Sequence, residues 1–243
     1  MSPIWNALAY ALLPFIGNAI GATLAESVRT PRWVTGAALH AAAGIAIALV
    51  SVELMPRVLG ELPLHVIVLG FLVGALLSVA IAYAIAMLHA SERASGHASG
   101  WTIFAVVLID LMSDGLITGA GTAIGTAFGF LVAASQTVAN IPGGFAVAAR
   151  LREAGVGPST RLLVLALPIV PVMASTVAGV WLLAGTDRAI QDFTLMVIAG
   201  VLLLATVEDV IPQGDAPGTK RWISSAAFAL GFAGFVLLAR SVA

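Results

Sequence analysis

The sequence predicts an all-α integral membrane protein of eight transmembrane helices. Its composition, the length of its apolar segments and an internal repeat carry that expectation. Of 243 residues, 60% are hydrophobic and 9% charged, against roughly 45–50% and 25% in soluble domains; mean hydropathy is +1.06. A bilayer is crossed by apolar stretches of roughly 17–25 residues. Eight occur, at about 4–25, 34–56, 63–88, 102–119, 124–149, 161–184, 191–212 and 222–242. They are continuous and rich in Ala, Leu and Val, whereas barrel strands would be shorter and alternating. A single membrane domain, 1–243, is expected, because no polar stretch exceeds about a dozen residues.

Helix 1 follows an N-terminus without the basic region of a secretory signal, so it is read as a retained span. Helix 2 carries His40 in its first third and ends on Glu53 and Pro56. Turn residues and charges mark the connections Ser27–Arg32, Ser91–Gly100 and Gly214–Lys220. The loops after helices 1, 3, 5 and 7 hold eight Lys or Arg (Arg29, Arg32, Arg93, Arg150, Arg152, Arg161, Lys220, Arg221), and the opposite side holds three (Arg57, Arg188, Arg240). That bias predicts both termini outside and the connection between helices 3 and 4 in the cytoplasm; the protein is expected as a multi-pass protein of a bacterial-type inner (plasma) membrane. Without cysteine there are no disulfides or thiolate metal sites. A net charge of −1 and the lack of a basic tract give no footing for nucleic acid.

The repeat relates helices 2 and 7. Ala43-GIAIALVSVELMP and Ala199-GVLLLATVEDVIP align at an offset of 156 residues, so that Gly44 meets Gly200, Glu53 meets Asp209 and Pro56 meets Pro212. Gly70-Phe71 of helix 3 recurs as Gly231-Phe232 of helix 8 at a slightly different offset. A 3+2+3 plan follows: a three-helix unit in 1–89, two central helices in 101–150 and a second three-helix unit in 159–243. Helix 1 starts outside and helix 6 inside, so the repeats are inverted, a plan that puts binding sites near the midplane at the repeat interface.

Asp110 and Asp114 interrupt helix 4. Residues four apart lie about 40° apart on a helix, so both carboxylates project from one face. Each costs roughly 2.5–3.5 kcal/mol at a bilayer centre, a cost relieved by a polar cavity, a partner helix or a cation. In helix 5, Gln136 and Asn140 share a face, and Pro142 predicts a kink that frees the Val138 carbonyl. Together these groups would form an all-oxygen site suited to hard or borderline divalent ions; the other reading is a purely structural polar network. Glu53, Glu208 and Asp209, near helix ends, are candidate pathway residues. His40 is a secondary candidate whose alternative is hydrogen-bonded packing. His89 and His97 flank a loop as weak metal-capturing candidates. No phosphate loop, HExxH or GxSxG motif is present, and an aspartyl protease would take its aspartates from two helices, so no enzyme is expected.

With these features the chain resembles the ZIP (zinc/iron-regulated-transporter-like) family. That family's helix 4 reads close to His-Asn-Phe-Pro-Glu-Gly, where this chain has Asp110-Leu111-Met112-Ser113-Asp114-Gly115. Its helix 5 reads close to His-Glu-Ile-Pro-Glu-Gly, where this chain has Ala139-Asn140-Ile141-Pro142-Gly143-Gly144. The resemblance implies metal ligation by Asp110, Asp114 and Asn140. Leu111, Ala139 and Gly143 depart from family ligand positions, which implies one site in place of two metals and a shift from zinc toward manganese or iron(II). It further implies a transporter moving divalent cations toward the cytoplasm, the ion being substrate and no cofactor tightly bound; a homodimer is compatible with it. A non-transporting paralogue acting as sensor or assembly protein, or a transporter of protons or an organic cation, are the alternatives.

Overall fold

The computed structural model describes residues 3–27, 31–95, 100–215 and 220–242. Those residues are almost wholly helical, and their one β-type pairing is an isolated bridge between Leu59 and Leu62. We number eight rods. α1 is Pro3–Ser27, and α2 is Arg32–Ala48 continued through Leu49–Leu54 and Met55–Val58. α3 is Leu64–Ser95, α4 is Gly100–Ile124 and α5 is Thr126–Glu153. α6 comprises Pro158–Ala166 and Ile169–Leu183. α7 comprises Arg188–Ala205, Thr206–Val210 and Ile211–Gly214, and α8 is Arg221–Val242. Seven rods are long and apolar enough to cross a membrane, and α4 is a further helix of 25 residues. This is a multi-pass membrane protein.

Two helices outrun their apolar segments. α3 continues to Ser95, into residues expected in a loop, and α4 passes Gly119 to reach Ile124, leaving only Gly125 before α5. Apolar length sets where a helix leaves lipid, while good helix formers let it continue beyond. His97 and the side chain of His89 lie outside the described residues. α6 is divided at Leu167 and Pro168, where a proline without an N–H cannot bond to the preceding turn.

Four pairings organise the rods: α1 on α5, α4 on α6, α2 on α8 and α3 on α7. Each crossing is made by glycine, which lets backbones touch where any larger residue would hold them apart. A methyl group at Gly21 would strike the Ile141 carbonyl, and one at Gly144 the Asn18 carbonyl. Gly119 is held against Thr176 and Gly179 against Leu116; Gly44 meets Phe228 and Gly231 meets Ala41; Gly74 meets Val197 and Gly200 meets Phe71. The glycine of α3 that matches Gly231 in this close approach is Gly74, one turn beyond the Gly70 suggested by the Gly-Phe match. Contacts ascend together along three pairs. Gly17 meets Thr137 before Gly21 meets Ile141, Gly115 meets Val172 before Gly119 meets Thr176, and Gly70 meets Phe193 before Gly74 meets Val197. These pairs run parallel.

α2 and α7 share a second feature. Each widens into a π-helical turn, Leu49–Leu54 and Thr206–Val210, just before its proline. The residue preceding each proline closes the turn: Met55 N–H reaches the Val50 carbonyl, and Ile211 N–H the Thr206 carbonyl. A proline ring clashes with the carbonyl four residues back, and the wider turn moves that carbonyl aside. π-Turns of this kind gather at functional sites, and these carry Glu53 in α2 and Glu208 and Asp209 in α7.

At one end of the bundle three helix ends are tied together. Arg161 of α6, nearly buried, donates to Glu26 of α1 through Nε at 2.7 Å and through a second nitrogen at 2.6 Å, while Arg152 of α5 donates to the Ala25 carbonyl at 2.6 Å. Arg188 at the opposite end is 73% exposed, and its contacts with Glu61 and Asp192 are 3.8 and 3.7 Å. Paired two-pronged bonds are strong, and long exposed ion pairs are worth little. Arg161→Ala should therefore lower the melting temperature in detergent clearly, and Arg188→Ala should leave it unchanged. Equal melting of the two variants would overturn this ranking.

Candidate functional site

Asp110 and Asp114 sit near the middle of α4, the first exposed and the second half-buried. α5 supplies what faces Asp114. The Asn140 amide nitrogen donates to Asp114 Oδ2 at 2.5 Å and to the Gln136 backbone carbonyl at 2.9 Å. A carboxylate only accepts, so the nitrogen of Asn140 must face it. One turn further along α4, Thr118 donates to Gln136 Oε1 at 2.7 Å. Gln136 and Asn140 are both buried. Among the described residues Gln136 Nε2 makes no hydrogen bond, although the Asp114 carboxylate is within its reach. The expected meeting of the two helix faces therefore occurs, with Asn140 gripping Asp114 through nitrogen.

Asp110 lies within charge–charge range of Asp114 on its own helix and of Asp209 on the π-turn of α7. Asp209 and Glu208 are exposed, and neither has an ion pair among the described residues. Among the described residues no three His, Asp or Glu side chains converge closely enough to hold a metal ion. A cation here would meet at most two carboxylates at once, its remaining ligands coming from amide or backbone oxygens and water, a pattern that hard ions accept.

The other sequence candidates are placed elsewhere. Glu53 is held by Arg57 at 2.9 Å. His40 is buried where α2 meets the end of α7, with Nδ1 2.9 Å from the Gly36 carbonyl and Nε2 3.2 Å from Asp215. That is the hydrogen-bonded packing arrangement, away from Asp114. Pro142 is buried within a helix that runs on continuously. Val138 lines a crevice with Ile45 of α2 and Leu230 of α8. Leu111 packs with Ala11 of α1 and Val172 of α6. Gly143 is exposed, with open space around it.

Three participants went unnoticed in the sequence. Thr118 continues the stripe of Asp110 and Asp114 by one more step of four, a spacing that could have revealed it. Arg57 stands four residues after Glu53, which is ion-pair spacing on a helix. Asp215, in a turn after α7, carries no such signal. Comparison of the chain with protein-family models and with curated proteins finds no match.

Proposed function

We propose that this protein is a ZIP-like transporter of divalent metal cations, with Asp114 and Asp110 as its intramembrane cation site. The observation that carries the reading is the Asp114 carboxylate, oriented by Asn140 beside a second acid at mid-helix. Oriented carboxylates inside a membrane mark ion pathways. Asp209 extends the acids toward the bundle end where α1, α5 and α6 are tied, the cytoplasmic end in the charge-bias topology. The ion leaves by that route, and the Asn140 amide keeps Asp114 aimed at it. With no ATP-binding motif in the sequence, transport is downhill or ion-coupled.

The inverted 3+2+3 plan belongs to this reading. Exchanging helices 1 with 6, 2 with 7, 3 with 8 and 4 with 5 turns the α1/α5 pair into the α6/α4 pair, and α2/α8 into α7/α3. The observed pairings are thus two symmetric sets. Paired π-turns before Pro56 and Pro212 support the same exchange. The parallel course of α1 with α5 and of α3 with α7 supports counting α4 as a crossing, since three crossings apart would make them antiparallel.

Calorimetry of the purified chain with Mn²⁺, Fe²⁺, Zn²⁺ and Cd²⁺, paired with uptake into proteoliposomes, tests the proposal. Saturable binding and uptake of at least one ion are expected. One observation favours a second reading, a non-transporting paralogue: among the described residues no three acidic or histidine side chains converge. Absence of saturable binding across the panel would establish that alternative and end the transporter reading.

A further inference from the structure

The two π-turn acids, alike in sequence position, have different companions. Asp209 is followed four residues later by Gln213, and Glu53 at the equivalent distance by Arg57. Arg57 binds Glu53 at 2.9 Å; the Glu53 side chain is only 14% exposed and that of Arg57 41%. The guanidinium carbon of Arg57 also lies 5.0 Å from the centre of the Phe128 ring at the start of α5, within cation–π range. Phe128 is fully buried, and its ring edge lies against Gly121 of α4. Gly121 falls seven residues beyond Asp114, on the same helix face.

Glu53, Arg57, Phe128 and Gly121 thus form a continuous closure across α2, α5 and α4. These contacts lie where α2 ends and α5 begins, at the opposite end of the bundle from Asp209 near the end of α7. We infer that Arg57 is a tethered cation serving as a gate. Its guanidinium occupies Glu53 and pins Phe128, and a substrate cation gains access from that side by taking Arg57's place on Glu53. This rests on the transporter reading for its purpose, though not for its test. No base stands at the Gln213 position, so the equivalent acid at the other end is left available. The closure contains no covalent step; opening exchanges one positive partner of Glu53 for another.

The absence of cysteine from the sequence makes the test direct. Ile117→Cys puts one thiol on the Asp114 face, at a buried residue of the hydrophobic cluster that also contains Phe128. Labelling by a neutral, membrane-impermeant maleimide is followed in proteoliposomes from each side. Arg57→Gln should speed labelling from the Arg57 side by about fivefold or more, the scale of an exposed ion pair plus a cation–π contact. Arg57→Lys, which keeps the charge, should restore the slow parental rate. Glu53→Gln, which frees Arg57, should also speed labelling, and it carries the test if Arg57→Gln fails to fold. Parental rates in both neutralising variants would overturn the gate. Faster labelling in a chain that binds no metal would leave the gate standing and remove only the transporter reading.

Discussion

Asp114→Ala is expected to abolish saturable divalent-cation uptake into proteoliposomes while leaving the folded protein as stable as the parent or more so. The two halves of that expectation come from different features of the site. Uptake depends on a negative charge, and the substitution removes the better positioned of the two. Stability depends on what the substitution leaves unpartnered. Asn140 keeps its bond to the Gln136 carbonyl, and Gln136 keeps Thr118, so the penalty of stranding a buried donor is largely avoided. Removing a carboxylate from the membrane interior also relieves a desolvation cost of roughly 2.5–3.5 kcal/mol. Asp110→Ala should likewise abolish uptake, since Asp110 is the second acid of the proposed site and, among the described residues, no hydrogen bond ties its side chain to the fold. A structural role for Asp114 makes the opposite forecast: a lower melting temperature with no consequence for ions. Measuring melting and uptake on the same preparations separates the two, and full uptake by both variants would remove the acids from the pathway.

The sequence disclosed the helices because apolar length is a one-dimensional property, and it disclosed the Asp114 face because four-residue spacing fixes which side chains share a side. It also disclosed that helices 4 and 5 present polar faces to each other. What it could not disclose was which atom of Asn140 would face Asp114. That choice belongs to the partner, and a carboxylate selects nitrogen over oxygen. The pairing of α1 with α5 and of α3 with α7 was hidden for a similar reason. Gly21, Gly74, Gly144 and Gly200 are legible as small residues, but nothing in a glycine names the backbone it will touch. The one-turn difference between Gly70 and Gly74 shows the limit: the sequence match fell on a Gly-Phe pair, whereas the repeated contact uses the glycine that meets a neighbouring carbonyl. Arg57 was counted as one charge among eleven Lys and Arg; its four-residue spacing from Glu53 held the local pair, and only the arrival of Phe128 from α5 made a closure of it.

Gly200→Val is expected to produce the largest structural effect, and Gly44→Val a matching one. Gly200 lies on the Phe71 carbonyl and close to the Ala75 nitrogen, while Gly44 lies on the Phe228 carbonyl and close to the Phe232 nitrogen. Both obstacles are helix backbone, which cannot rotate away as a side chain can. A valine therefore forces the helices apart, and the loss spreads along the pair because neighbouring contacts share the same separation. Overpacking alone costs roughly 1–3 kcal/mol, occasionally more, and small-residue contact is the main attraction available between helices in lipid. Both variants should melt well below the parent in detergent, or aggregate on extraction. Gly234→Val is the control for the poorer helix propensity of valine, since Gly234 has open space around it and should melt near the parent. The consequence for the site differs between the two crossings. Displacing α7 carries Asp209 away from Asp110, whereas displacing α2 disturbs the Glu53–Arg57 closure instead. At a temperature where both variants remain folded, Gly200→Val should therefore weaken ion binding, and Gly44→Val should speed labelling at position 117. If both variants melted with the Gly234 control, the glycine crossings would not be what holds the helix pairs together.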